Sequence, residues 1–385
     1  MTALPKQKKK RYFSKRVNIM RKFLRIIMII LNVITAVSLA LACLCCFVNP
    51  ETIWWIGFFG LAYMYLLVIN VCFLIFWALS RKKIMMVISL IPILFGWSFL
   101  GKNIQLFEKK IPEEYMDSSF QALSFNIQGF HQMNQKQPDG KMLNIFDFIK
   151  GKDPDIICLQ EFVYSRWGKE LNEKIINEEL KQTPYYHVEL HSETYSSGVA
   201  TFSRYPIIHK ELVYSDNTTN VCISSDLLIG ADTVRVYNIH MKSVGLQREH
   251  IQLLDNVVKR EYGRSDLRTV KAIIRQISVS SFERAKQVKI LSSHIEKSPY
   301  PVIVCGDLND PPTSYSYRKV RGNLKDAFVE AGSGRSTTFN IGRIASLRID
   351  CILYPDVFKA YNYESPRVVL SDHFPVMCRL VKQEK

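Results

Sequence analysis

Val302-Ile303-Val304-Cys305-Gly306-Asp307-Leu308-Asn309-Asp310 passes from four apolar residues straight into an acidic, amide-rich turn. A short apolar run bounded by turn residues predicts a strand, here Val302 to Cys305, with polar groups displayed just past its end. The same pattern lies on both sides. Ala122 to Phe125 ends in Asn126, Ile156 to Leu159 ends in Gln160-Glu161, and Val234 to Ile239 ends in His240. Tyr185 to Leu190, Val199 to Phe202, Cys222 to Ile229, Ile349 to Leu353 and Val376 to Leu380 carry the strand signal too. Helical patterns fall between some of them, at Met142 to Ile149, Lys169 to Leu180 and roughly Leu246 to Ile295. Mixed strands and helices without an internal repeat predict one large α/β domain over 119–385.

Asp, Asn and Ser after a strand commonly form turns or helix caps, so each polar end has a structural explanation taken singly. Taken together, strands projecting in a common direction would converge four carboxylates (Glu161, Asp307, Asp350, Asp372), two amides (Asn126, Asn309) and two histidines (His240, His373) on one rim. Hard oxygen ligands without thiolates suit Mg²⁺ or Mn²⁺ rather than Zn²⁺. Such a cation stabilises charge on a phosphate while an imidazole handles the proton.

In order and spacing, Asn126, Gln160-Glu161, Asn238-Ile239-His240, Gly306-Asp307-Leu308-Asn309, Arg348-Ile349-Asp350 and Ser371-Asp372-His373 resemble the endonuclease/exonuclease/phosphatase superfamily, over about Phe120 to Leu380. The resemblance implies a two-sheet α/β sandwich flanked by helices, a four-layer fold with its site at one edge. It also implies phosphoester hydrolysis dependent on Mg²⁺ or Mn²⁺. Carried over by position, Glu161 resembles the principal metal ligand, with Asn126 beside it and Asp372 contributing. Asp307 and Asn309 resemble the pair that orients the attacking water and the phosphate. His373, oriented by Asp350, resembles the histidine at the scissile phosphate, and His240 the second histidine, which stabilises the transition state or leaving oxygen. Ser197 to Ala200, Arg204, Arg284 to Gln287, Leu324 to Phe328 and Thr337 to Phe339 also look familiar. For Arg204 a salt bridge below the site stands beside phosphate binding, and Thr338 and Phe339 read as packing. Arg248, Lys259, Arg260, Arg264 and Arg268 lie on a charged insertion that reads as a solvated helix face, with a substrate groove as the alternative.

The first 100 residues depart from this composition. They hold 13 Lys and Arg and one acid, Glu51, out of 51 basic and 35 acidic residues in the chain. Most of the net +16 therefore sits beside apolar runs, which weakens any inference of nucleic-acid binding from overall charge. The charge-free runs 26–48, 52–80 and 84–101 predict three transmembrane helices, the basic segment 1–25 and the Arg81-Lys82-Lys83 cluster predict a cytoplasmic N-terminus, and 102–118 reads as a juxtamembrane linker. A multi-pass protein of the cell membrane with an extracytoplasmic catalytic domain is the expectation. Beyond the bilayer, the partner expected is a phosphoester substrate, either nucleic acid or a phospholipid headgroup. The expected activity is that of a nuclease-like phosphodiesterase; a phospholipid or sphingomyelin phosphodiesterase, a phosphoinositide-type phosphatase and a non-catalytic scaffold are the alternatives. The nine cysteines lie among apolar residues and read as small buried hydrophobes.

Overall fold

The computed structural model describes residues 6–80, 82–132, 134–136, 142–163, 178–190, 197–215, 220–245, 264–341 and 345–383. The elements used below are, among helices, α1 (Lys6–Leu44), α2 (Tyr63–Leu79), α3 (Met86–Phe95), α4 (Ile145–Lys152), α5 (Arg264–Glu296) and α6 (Tyr315–Arg321). The strands are β1 (Ser119–Asn126), β2 (Ile156–Val163), β3 (Tyr185–Leu190), β4 (Ser197–Ser203), β5 (Ile207–Ser215), β6 (Val221–Ile229), β7 (Asp232–His240), β8 (Val302–Asp307), β9 (Lys325–Asp326), β10 (Asp350–Tyr354), β11 (Phe358–Glu364) and β12 (Val376–Lys382).

Two six-stranded mixed sheets face each other. One has the order β11-β12-β1-β2-β4-β3 and the other β9-β10-β8-β7-β6-β5. Alternation explains why their central strands read as continuous apolar runs. Ala122, Ile156, Cys158, Val236, Ile303 and Cys305 point into the space between the sheets. Their neighbours Leu123, Phe125, Ile157 and Leu159 point outward to Phe146 and Ile149 of α4, and Tyr237, Ile239 and Val304 point outward to Val288 and Leu291 of α5. Strands covered on both faces lose the apolar–polar alternation of a half-exposed strand. The expected two-sheet α/β sandwich flanked by helices is thus present.

Buried amides tie the sheets together beneath one edge. The Gln160 side-chain N–H donates to Asn238 Oδ1 at 2.7 Å, and Asn238 Nδ2 donates to the carbonyls of Ala200 at 2.9 Å and Leu159 at 3.2 Å. Both side chains are fully buried. Cys158, Cys222, Cys305, Cys351 and Cys378 are free and buried, as small hydrophobes are.

The three expected spans are corrected by the helix geometry. One unbroken helix, Arg16–Phe47, is long and apolar enough to cross a membrane. The second charge-free run is a pair, Trp54–Leu61 and Tyr63–Leu79, bent by 61°, and the third holds only the shorter apolar helix Lys83–Phe95. That last helix rises ~20 Å at 1.5 Å per residue, against a hydrocarbon core of ~30 Å. Among the described residues, one helix, or two if the bent pair counts as one, is thus long and apolar enough to cross a membrane. Counting uncharged residues could not reveal the bends.

The helices pack on one another and on the domain. Tyr63 Oη donates to the Gly96 carbonyl at 2.8 Å, and a Cβ at Gly60 would lie 2.5 Å from Cys45 Sγ, so that position tolerates no side chain without a shift. Thr313 Oγ1 donates to the Gly60 carbonyl at 2.9 Å, Cys45 Sγ reaches the Thr313 carbonyl at 2.8 Å, and the Arg318 guanidinium stacks 4.3 Å over Phe47. The domain thus docks at the C-terminal end of α1, the end opposite its basic residues. Segment 102–118 lies along the domain: Ile104 pairs with Arg335, the Asn362 N–H donates to the Lys109 carbonyl at 2.8 Å, and the Ile111 N–H donates to Asn362 Oδ1 at 2.9 Å.

Other expectations are refined. The helix expected from Met142 begins at Ile145, because Met142–Asn144 pairs as a strand with Asn134–Lys136 and Asn144 caps the helix, accepting from the Phe146 N–H at 2.7 Å. Residues 169–177 and 246–263, including Arg248, Lys259 and Arg260, lie outside the described residues.

Replacing Asn238 by Leu keeps the branched shape but removes the Gln160 acceptor and the donor to two buried carbonyls. Each buried unsatisfied group costs ~1–3 kcal/mol, so the variant should lose roughly 3 kcal/mol of stability. Denaturant unfolding of the full chain in detergent measures this; an unchanged midpoint would mean the inter-sheet amide bond contributes nothing.

Candidate active site

Strand register assembles the polar ends. In the parallel pair β7–β8, His240 lies opposite Asp307; in the antiparallel pair β8–β10, Asp307 lies opposite Asp350. In the other sheet the parallel pair β1–β2 sets Asn126 opposite Gln160. Gly306 lets β8 run close to β7: its φ is +143°, and a Cβ there would sit 2.1 Å from the Ile239 carbonyl oxygen.

Glu161 reaches the rim through a β-bulge. Leu159 and Phe162 pack in the same outer core although three positions apart, which strict alternation forbids. The register shifts between Gln160 and Phe162, and the residue lifted from the pleat is Glu161, with φ of +51°. Asn309, at φ of +49°, is left-handed too, as is Gln128 at +48°. Such conformations cost ~1–3 kcal/mol each and cluster at functional sites.

All eight side chains converge. Asn126 Nδ2 donates to Glu161 Oε1 at 3.2 Å and to Asp307 Oδ2 at 3.3 Å. Asp307 accepts from the Asn309 backbone N–H at 2.7 Å and its side-chain amide at 3.0 Å. His240 Nε2 lies 3.6 Å from Glu161 Oε1 and 3.9 Å from Asp307 Oδ2. His373 Nδ1 meets Asp350 Oδ2 at 2.9 Å while its Nε2 lies 3.7 Å from Asp307. Asp372 joins through Gln128, whose amide donates to it at 3.0 Å. Asp307, Asp350 and His373 form a buried group whose ligand atoms all lie within 4.8 Å.

Electrostatics separates the roles these groups can take. Burial opposes a charged imidazole at His373, but Asp350 and then Asp307 override it and hold the histidine up at about 10. Burial, reinforced by Asp350, pushes Asp307 above the usual carboxylate range, with His373 and His240 pulling the other way. Burial raises Asp372 as well; His373 opposes that, and the nearby Glu161 charge adds to it. Carboxylates that repel one another beside amide oxygens, with no thiolate in reach, are a donor set for a hard divalent cation.

Residues read as packing support the groups of the rim. Thr338 Oγ1 accepts from the N–H groups of Ile349 at 2.9 Å and Asp350 at 3.0 Å, and Phe339 packs on the His373 ring with centroids 4.7 Å apart. Arg348 points away from the site and pairs with buried Asp326 at 2.9 and 2.7 Å. Burial raises Asp326, yet Arg348 holds it below its ordinary range. Arg204 is bound below the site to Asp153 and, at 3.0 Å, to Asp155, so its salt-bridge reading holds. Gln128 was not singled out in the sequence; its only local signal is the following Gly129, with φ of +61°, in the turn that aims it.

Residues 123–373 match the endonuclease/exonuclease/phosphatase family. The chain belongs to that family. Membership makes it a phosphoester hydrolase of a divalent-metal-dependent group. Residues 22–103 match a domain of unknown function (DUF8431). No curated protein matches the chain. Among solved structures, an endonuclease/exonuclease/phosphatase from Beutenbergia cavernae DSM 12333 is similar at 17% identity and a TM-score of 0.47, covering 69% of this chain and 72% of that one. A family protein from Leptotrichia buccalis C-1013-b is similar at 16% identity and 0.47, covering 68% and 99%. Truncated Caenorhabditis elegans TDP2 is similar at 17% and 0.44, covering 69% and 99%.

Because His373 is raised from its ordinary ~6.5, its ion pair stabilises the fold fully below that pH, and the contribution is lost as pH rises through about 10. Asp350→Asn should move the His373 titration, followed by NMR of the imidazole, to lower pH and cut turnover by orders of magnitude. An unmoved titration would dissolve the pair.

Proposed function

We propose that the chain is a membrane-anchored, Mg²⁺- or Mn²⁺-dependent phosphodiesterase of nuclease type, working on the side of the membrane opposite its basic N-terminal segment. One observation carries the chemistry: eight polar side chains from two sheets meet on one edge, with a charged histidine beside a carboxylate of raised proton affinity. The anchoring rests on the apolar helix Arg16–Phe47. The sidedness rests on the domain docking near Cys45 and Phe47, at the far end of α1 from Arg16 to Arg25.

Glu161, Asn126 and Asp372 would hold the divalent cation, which when bound offsets charge on the phosphate. Asp307 is placed to take the proton of the attacking water, and Asn309 fixes the carboxylate through its two hydrogen bonds. His373, kept charged and oriented by Asp350, donates from Nε2 toward a phosphate oxygen. As the P–O bond to the leaving group breaks, His240 on the Glu161 side supports the departing oxygen. Preorganised donors in a buried site need little rearrangement as charge develops.

A second reading, hydrolysis of a phospholipid headgroup, draws on the contact between the domain and the end of α1, which would hold the site near a bilayer that α1 crosses. A panel of single- and double-stranded DNA, RNA, sphingomyelin, phosphoinositides and phosphomonoesters separates the two when assayed with full-length protein, with Mg²⁺ or Mn²⁺ and with chelator.

Glu161→Gln preserves volume and should weaken Mn²⁺ binding, read by calorimetry, while removing most activity. Wild-type affinity and turnover together would exclude Glu161 as the principal ligand. Protease added to intact cells or spheroplasts should digest the domain from Phe120 onward; digestion only after lysis would reverse the sidedness.

A further inference from the structure

Just beyond β7 the chain forms one wall of a cleft that the eight site residues do not line. Lys242 to Gly245 face Lys271, Arg275 and Gln276 of α5 across a cavity of about 660 Å³. Among the described residues, three that line it are cationic and none is acidic, and Lys242, Lys271 and Arg275 form no ion pair there. The cleft is open to solvent, and across it two exposed cations of α5 face a third on the segment after β7.

The wall is rigidly built and coupled to the reacting groups. The Lys242 N–H donates to Gln287 Oε1 at 2.9 Å, and Arg284 donates to the Lys242 carbonyl at 2.7 Å while pairing with Asp310 at 3.2 Å. Met241, between His240 and Lys242, donates its N–H to the Asp307 carbonyl at 2.9 Å and accepts the Asn309 amide at 3.0 Å. Lys242 is two residues past His240, and two extended residues span ~7 Å. Successive charges along one nucleic-acid strand advance ~3.4 Å each, so a strand with one phosphate at the site can bring another to the cleft.

We propose that the Lys242–Lys271–Arg275 cleft is a subsite for a non-scissile phosphate of a polynucleotide strand. This rests on the phosphodiesterase reading above and names its substrate class. A headgroup with a single phosphate has no second anion for these cations, whereas a nucleic-acid strand supplies one at every nucleotide.

The test uses the full chain in detergent and the double variant Lys271→Gln/Arg275→Gln, both positions being exposed and outside the catalytic residues. Binding of a fluorescent single-stranded oligonucleotide in chelator should weaken several-fold, and the slope of log affinity against log salt should fall by about 0.7, the value for one lost phosphate contact on a single strand. On the oligonucleotide KM should rise with little change in kcat, while turnover of bis-p-nitrophenyl phosphate, which has one phosphate, should stay at the wild-type level. Lys271→Arg/Arg275→Lys should restore affinity. An unchanged affinity and slope, an equal loss on both substrates, or a loss seen only for phosphoinositide vesicles would each overturn the subsite. Should the wild type cleave neither phosphodiester, the phosphodiesterase reading fails, while the anisotropy measurement still decides whether the cleft binds the strand.

Discussion

A single buried amide pair, Gln160 on Asn238, sets the relation between the two sheets on which the site depends. Its members are the residue before Glu161 and the residue two before His240, so the bond that joins the sheets also fixes the height at which both groups emerge. Buried amides are costly unless satisfied, and Asn238 spends its donors on the Leu159 and Ala200 carbonyls of the facing sheet. A sliding of one sheet over the other would break all of these bonds together. Apolar packing between sheets is non-directional and could not enforce a single offset in this way.

The same economy governs the rim. Asp307 is opposite His240 on one side and Asp350 on the other, and Asp350 reaches across to His373 on the loop before β12. Burial by itself would discharge His373, and the two carboxylates reverse that tendency. The buried Arg348–Asp326 pair lies behind this array and anchors the start of β10 without entering the site. Thr338 and Phe339 brace the same strand start and the imidazole, which makes their packing role a positioning one.

The helical segment is structurally continuous with the catalytic domain. Thr313 lies four residues past Asn309 and exchanges hydrogen bonds with Cys45 and Gly60, so the turn that follows Asp307 leans directly on the helices. Segment 102–118 lies against the sandwich and does not extend as a free tether. The position of the domain against the end of α1 is thereby built into the fold.

By itself the sequence determined the central strands, their polar ends and the chemistry those ends can perform, because apolar runs and turn residues are local signals. It determined the apolar character of the N-terminal segment for the same reason. It missed β5 and β11, which are edge strands whose polar residues interrupt the apolar run: Ile207 to Ser215 includes His209, Lys210 and Glu211, and Phe358 to Glu364 includes Lys359 and Asn362. It predicted three straight spans because charge-free length does not encode a bend at Ala62 or the short reach of α3. Only the tertiary structure decided that Glu161 leaves the pleat and that Lys242 faces Lys271 and Arg275, and it gave the Asp350–His373 pair, which the family resemblance implied, its contact across 22 intervening residues. Each depends on register between strands or contact between distant elements, where the favourable energy comes from residues remote in the chain.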